Sequence, residues 1–238
     1  MQTYPWTSSF VQVTAKGHWS KLTTANYMLR SIRFPLFAAL LAFGALTSCK
    51  KDNTSPTGLQ VQAHDQSALM TIMHNMMKDM SMMTATNDPD NDFAMMMVMH
   101  HQGAINMANE ELKNGKDTEM RALATSIIAK QQSEITQFNA FKASHAPHAP
   151  FIPEFFMKQD ENMMRMDESN DLRPLTGNTD YDYAQLMVDH HMSAIENSDL
   201  ELKYGRENTT KTLAQNIIDD QKMEIKQFQA WLLKNKKF

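Results

Sequence analysis

Two pairs of adjacent histidines stand at equivalent places in two related stretches of the chain, at 100–101 and at 190–191. A shift of 90 residues aligns 92–141 with 182–231 without a gap, and 22 of the 50 aligned positions are identical. Imidazole is a common ligand of transition metals, although a lone core histidine is more often only hydrogen-bonded. A dyad repeated in both halves therefore predicts a metal site where the two copies meet.

The identity of the metal is indicated by the methionines, of which the chain has 22 against one cysteine. Met95, Met96, Met97 and Met99 point around most of a helix, so some of them must face solvent, a cleft or a second chain. Thioethers are soft ligands that select Cu(I) or Ag(I), and they form no disulfides. We therefore predict a copper site, with Cu(I) favoured. The predicted ligands are Met97, His100, His101, Met107, Met187, His190, His191 and Met192.

Four repeated glutamates are candidates for metal ligands or for hydrogen-bonding partners of the ligating histidines. Glu134 and Glu224 fall on the inward arc of a helix, where a charged group needs a partner, and the residues leave both roles equally open. Glu111 and Glu201 lie eleven residues after the first histidine of each dyad, three helical turns along the same face. We expect this second pair nearer to the end of the fold than to the dyads.

The elements that must position these residues are helices. Apolar residues recur every three to four positions along 93–112 and again along 123–138, and Gly115 is placed to end the first segment. Each half therefore predicts a helical hairpin, and two hairpins predict an all-α, antiparallel four-helix bundle with shorter additional helices. One of these shorter helices carries a methionine stripe that we interpret as packing: Met70, Met73, Met76 or Met77, Met80 and Met83.

The N-terminal region has the pattern of an export signal. A short basic stretch precedes the apolar run 34–46, and Leu46-Thr47-Ser48-Cys49 resembles the lipobox of bacterial lipoproteins, which predicts a lipid on Cys49. We expect Met28 to be the true start. The predicted segments are an extension and signal peptide (1–48), a flexible linker (49–65), a first helical repeat (66–141), a Pro/His linker (142–154) and a second repeat (155–238). His145 and His148 are interpreted as parts of a solvated linker rather than as an accessory metal site.

The repeated pattern of an aromatic residue, Met, a His dyad, Ala-Ile, Glu-Leu and Gly, then Leu-Ala, Ile-Ile, Gln and Glu-Ile resembles the domain-of-unknown-function 305 family over about residues 66–236. The resemblance implies an exported bacterial protein with a ferritin-like helical bundle, and some members bind copper or silver and are linked to copper tolerance. In the second half Asp189 replaces Met99 and Asn197 replaces Met107, which puts equal metal affinity of the halves in doubt.

Several function classes are excluded or left as alternatives. A net charge of −4 gives no basic footprint for nucleic acid, and no catalytic triad or phosphate-binding loop is visible, so we predict no enzyme. The expected function is a lipoprotein of the bacterial envelope, facing the periplasm or the cell surface, that buffers or hands on copper. A homodimer or a copper-transfer partner is possible. The alternatives are a ferritin-like di-iron oxidase, disfavoured because Met97 and Met187 replace the glutamate of the Glu-x-x-His pattern, and a lipid-anchored interaction module.

Overall fold

The structure is a computed structural model that describes residues 63–148 and 151–236. Its helices are α1 (Ala68–Ser81), α2 (Pro89–Asn114), α3 (Thr118–Ser144), α4 (Pro153–Asp171), α5 (Thr179–Tyr204) and α6 (Asn208–Asn235), after a short 3-10 turn at His64–Gln66. These two ranges contain no β-strand, and none of their helices is long and apolar enough to cross a membrane. The predicted signal peptide, Cys49 and nearly all of the 49–65 linker lie outside the described residues.

The helices form a bundle of two hairpins, α2 with α3 and α5 with α6. Helices α2 and α5 pack against each other in the middle, α1 covers α2, and α4 covers α5. The prediction of an all-α bundle built from paired hairpins with shorter additional helices is confirmed. Because α2 has neighbours on three sides, it buries Met96 and Met97 completely and Met95 and Met99 in part.

The same turn precedes both central helices. Asn87 and Gly177, related by the 90-residue shift, have φ of 66° and 73° and lie directly before the residues that cap α2 and α5. The buried Asp182 accepts hydrogen bonds from the backbone N–H groups of Thr176 and Gly177, at 2.9 and 2.8 Å. Glycine adopts the left-handed conformation without strain, and asparagine tolerates it better than most residues do. Local chemistry therefore fixes where each central helix begins.

The two hairpin turns are held by aspartates from the opposite half. Asp180, at the start of α5, accepts hydrogen bonds from the N–H groups of Lys116 and Asp117 at 2.7 Å each. Asp90, at the start of α2, accepts them from the N–H groups of Arg206 and Glu207 at 3.0 and 2.8 Å. The start of each central helix thus meets the end of the other. Helices α2 and α5 are therefore antiparallel, and the halves are related by an approximate two-fold axis.

Each of these contacts also includes a buried glutamic acid, Glu111 beside Asp180 and Glu201 beside Asp90. We call each contact with its glutamic acid a clasp. Burial, followed by the hydrogen bond to Asp180 and its negative charge, raises the pKa of Glu111 to about 8. Burial also raises the pKa of Glu201 to about 9, with Asp90 adding to the effect and a hydrogen bond with Thr210 opposing it. At neutral pH each glutamic acid is therefore protonated, and a protonated carboxyl is able to donate to the aspartate carboxylate.

Glycine ends α2 and α5 for a different reason from the one that the sequence suggested. Gly115 and Gly205 have φ of −68° and −62° with extended ψ, so neither adopts the left-handed conformation common at helix ends. A Cβ at Gly115 would instead overlap the Glu111 carboxyl group, and one at Gly205 would overlap that of Glu201. Both glycines leave space for a clasp.

In each hairpin an aromatic pair packs between the two helices, at positions related by the 90-residue shift. Phe93 packs edge-on against Phe138, with ring centroids 5.6 Å apart, and Tyr183 packs against Phe228 at 5.5 Å. All four side chains are fully buried. Such a pair stabilises a fold by about 0.5–1.5 kcal/mol beyond its burial.

The segment between α3 and α4 is shorter than the predicted linker 142–154. Helix α3 continues to Ser144, and α4 begins with Pro153 at its first position. The residue before a proline disfavours the helical conformation, so Pro147 allows a helix to extend only as far as residue 145. The helix therefore continues past Lys142, where the prediction ended it.

Candidate metal centre

The two histidines of each dyad face different neighbours. His100 and His190 contact each other across the α2–α5 interface, with ring centroids 3.7 Å apart and ring planes inclined by 36°, and both side chains are fully buried. A residue contacts its own copy only close to the axis that relates the halves. His100 and His190 therefore form a central imidazole pair on the approximate two-fold axis, as the repeated dyad predicted.

The second histidine of each dyad turns toward the other helix of its own hairpin. His191 Nε2 donates to Glu224 Oε2 at 2.8 Å. His101 Nε2 lies 2.7 Å from Glu134 Oε2, at an angle less suited to a hydrogen bond. Burial opposes ionisation of Glu224, but His191 and Lys130 outweigh it and lower the pKa of that carboxyl. The structure thus brings Glu134 and Glu224 to histidines, and it leaves Glu111 and Glu201 in the clasps.

The ring nitrogens of the dyads are largely without partners. Among the described residues, Nδ1 of His100, His101 and His191 and both nitrogens of His190 make no hydrogen bond of good geometry, although all are buried. Burial, followed by the charges of neighbouring histidines, holds the pKa of His100 and that of His190 well below the usual value. A contact of the His190 ring with the backbone of His100 opposes the lowering of its pKa without offsetting it. The central pair is therefore neutral, and a neutral imidazole offers one nitrogen lone pair to a metal.

A methionine sulfur from a covering helix contacts the serine that lies next to the central pair on one side. His100 Nε2 lies 2.9 Å from Ser193 Oγ, and the same hydroxyl lies 3.1 Å from Met166 Sδ. On the other side Gly103 stands where Ser193 has its hydroxyl, and a Cβ there would overlap Met76 Sδ. The 90-residue shift relates Met76 to Met166, so each half places one thioether against its central helix.

The other predicted methionine ligands have different surroundings. Met97, Met187 and Met107 are fully buried in the common core. Met107 is replaced in the second half by Asn197, whose side-chain amide lies 3.4 Å from Met163 Sδ. Met192 is 43% exposed, and the structure does not place it with the central pair. It follows His191 in sequence, but one helical step turns its side chain by about 100°.

Two grooves lie beside these groups. One, between α1 and α2, has a volume of about 160 Å³ and is lined by Met76, Met99 and Gly103 among others. The other, between α3 and α6, has a volume of about 340 Å³ and includes Glu134 and Lys130 in its lining. The predicted cleft for some of the α2 methionines thus exists at Met99. The α1–α2 groove therefore borders the candidate thioether donors, and the α3–α6 groove borders the candidate carboxylate donor Glu134.

Sequence reasoning missed the thioethers of Met76 and Met166 because their spacing is also that of a core stripe. A signal was available in the repeat. Met73 and Met76 recur as Met163 and Met166, whereas Met70 is replaced by Asp160, and Met80 by Asn170. Methionines kept in both halves mark the positions that reach the central helices.

Comparisons with known proteins give a family match and a set of structural neighbours. The family described as "Domain of unknown function (DUF305)" matches residues 42–142 and 149–232. No curated protein matches the chain.

Similar solved structures include a putative secreted DUF305 protein from Streptomyces coelicolor, with 21% identity and a TM-score of 0.50, over 63% of this chain and 95% of that one. CopM in its Cu(II)-bound form has 28% identity and a TM-score of 0.48, and CopM in its Cu(I)-bound form has 23% and 0.46. Each of these two alignments covers 61% of this chain and 96% of the CopM chain.

Proposed function

This chain belongs to the DUF305 family, and we propose that it binds copper as Cu(I) between its two halves, through the imidazoles of His100 and His190 and the thioethers of Met76 and Met166. One observation carries the proposal: the ring of His190 is fully buried, and neither of its nitrogens makes a hydrogen bond of good geometry with the described residues. A ligand for those nitrogens would account for the placement.

The energetics of burial support a bound ion. Leaving one buried polar group unsatisfied costs about 1–3 kcal/mol, and the dyads together contain several such nitrogens. Low pKa values keep His100 and His190 neutral, so the cost is not relieved by protonation. A neutral imidazole coordinates a metal without first losing a proton.

The donors favour a soft ion. Met166 Sδ contacts the Ser193 hydroxyl, which in turn contacts His100. Met76 lies against Gly103, the position equivalent to Ser193. Thioether and imidazole together suit Cu(I), with Ag(I) as its close chemical relative. His101 and His191 are further donors. A carboxylate contacts Nε2 of each ring, so Nδ1 keeps its lone pair for a metal.

The carboxylates argue against the di-iron alternative. Glu111 and Glu201 are protonated and engaged with aspartates in the clasps, so only Glu134 and Glu224 remain beside histidines. Within the described residues, no three His, Cys, Asp or Glu donors converge at the dyads. A di-iron carboxylate site needs four carboxylates with histidines, and we therefore propose no catalytic role.

Buffering or hand-over of copper follows from the surroundings of the donors. The α1–α2 groove leads from solvent past Met99 to Met76, so an ion could exchange between thioethers along it. Five methionines are exposed among the described residues, and they are spread over α4, α5, α6 and the end of α1, which does not favour a single methionine-rich partner groove. From Leu46-Thr47-Ser48-Cys49 we further propose that lipid on Cys49 holds the protein in the bacterial envelope.

The test exchanges sulfur for carbon without changing the packing volume. Met76→Leu with Met166→Leu should weaken Cu(I) binding at least about tenfold, whereas Met70→Leu with Met80→Leu, equally buried on α1, should leave it unchanged. Anaerobic competition against a chromophoric Cu(I) chelator measures both variants, and circular dichroism checks their helicity. Equal Cu(I) affinity in the first variant and in the wild type would show that these two thioethers are not Cu(I) ligands.

A further inference from the structure

A second group of donor atoms lies at the start of α2, away from the central pair. Asp88 Oδ2 is 3.3 Å from His145 Nε2 and 3.0 Å from His148 Nδ1, and the three atoms lie within 4.8 Å of one another. It is the one such group of His, Cys, Asp and Glu donors in the described ranges 63–148 and 151–236. The segment expected to be a solvated linker is therefore folded onto a buried carboxylate.

Each donor is positioned by the backbone around it. Asp88 is fully buried and caps α2, with Oδ1 accepting from the N–H groups of Asp90 and Asn91, so that Oδ2 faces the histidines. His145 follows the last residue of α3, and its ring stacks on Phe141 with centroids 4.6 Å apart. His148 donates its own backbone N–H to Asp88 Oδ2 at 2.8 Å. These contacts direct all three side chains to one point.

The charges around this point include one competitor. Arg206 Nη2 lies 3.3 Å from Asp88 Oδ2 and donates to the His148 carbonyl oxygen at 2.9 Å. Glu207 Oε1 lies 4.0 Å from His145 Nδ1 and adds negative charge. A cation bound here would replace part of the interaction between Arg206 and Asp88, so the guanidinium limits its affinity.

We propose that Asp88, His145 and His148 form a site for a divalent borderline cation, Zn²⁺ or Cu²⁺. Two imidazoles and one carboxylate match the ligands that these ions prefer, and the set has a hard carboxylate where the proposed Cu(I) site has soft thioethers. The site goes beyond the proposed function, since it shares no residue with the central pair. An ion there ties the segment between α3 and α4 to the start of α2.

The experiment titrates the purified protein with Zn²⁺, and separately with Cu²⁺, against a chromophoric chelator. We expect one tightly bound ion per chain at this site and at least about tenfold weaker binding in His145→Ala and in His148→Ala. His74→Ala is the matched control, because His74 Nε2 forms an exposed ion pair with Asp171, at 2.9 Å, outside the proposed site. Asp88 is left intact because it caps α2.

Two further variants separate this site from the central one. His100→Ala with His190→Ala should retain the divalent ion even where Cu(I) binding is lost. Arg206→Gln should bind the divalent ion at least as tightly as the wild type, because the competing charge is gone. Wild-type affinity in a His145→Ala/His148→Ala double variant, or weaker binding in Arg206→Gln, would overturn the assignment. Neither result bears on Cu(I) at the central pair.

Discussion

The clasps make a quantitative prediction about stability and pH. Replacing Glu111 and Glu201 by glutamine should leave the fold intact at pH 6, because a side-chain amide donates to Asp180 or Asp90 as the protonated carboxyl does. The same replacement should remove most of the loss of stability that the wild type shows as the pH rises. The perturbation therefore changes titration and preserves packing.

The sign and size follow from the two pKa values. A free glutamate has a pKa near 4.5, whereas folding raises that of Glu111 to about 8 and that of Glu201 to about 9. The folded state thus holds more protons than the unfolded state between these limits. The contribution is complete below pH 4.5 and is lost as the pH rises toward 8 and 9. Each group contributes at most about 1.4 kcal/mol per pH unit, so the pair contributes at most about 2.7.

Urea unfolding followed by circular dichroism from pH 5.5 to 7.5 measures this slope. Wild type should lose free energy of unfolding with rising pH, and the E111Q/E201Q variant should lose clearly less. Glu119→Gln is the control, since that side chain is 56% exposed and belongs to no clasp. An identical slope in wild type and E111Q/E201Q would refute protonated clasps.

Two smaller changes test the close contacts at glycine. Gly115→Ala should destabilise the fold by about 1–3 kcal/mol in urea unfolding, because its backbone suits alanine but a Cβ meets Glu111. The penalty should largely vanish when Glu111→Ala is the background, and equal penalties in both backgrounds would contradict this cause. Gly103→Ala should cost a similar amount and also weaken Cu(I) binding, because its Cβ displaces Met76 Sδ. Unchanged stability and Cu(I) affinity would show that Met76 does not depend on that space.

The helices and their pairing could be predicted because the relevant signals are local or repeated. Apolar spacing sets which face of α2 or α3 is buried, and the 90-residue repeat requires two equivalent hairpins. The repeat also predicted that His100 and His190 meet, because two copies of one residue approach each other close to a two-fold axis. Even the end of α2 at Asn114 followed from the glycine after it, although the reason was space rather than conformation.

The remaining features depend on neighbours that are distant in sequence. Sequence alone could not divide each dyad into an inner and an outer histidine, because that depends on how α3 and α6 pack. It grouped Met192 with His191 by adjacency, whereas the side chain is 43% exposed. Asp88 gave no sign of contact with His145 and His148, which lie about 60 residues away and reach it only when α3 has packed on α2.

The most direct test of the central claim is the metal retained after anaerobic competition between Cu(I) and Fe(II), read by elemental analysis of the purified protein. We expect at least one Cu(I) per chain in the wild type, and its loss when His100 and His190 are both replaced by alanine with helicity preserved. Retention of about two Fe(II) per chain, or unchanged Cu(I) in the histidine variant, would contradict it.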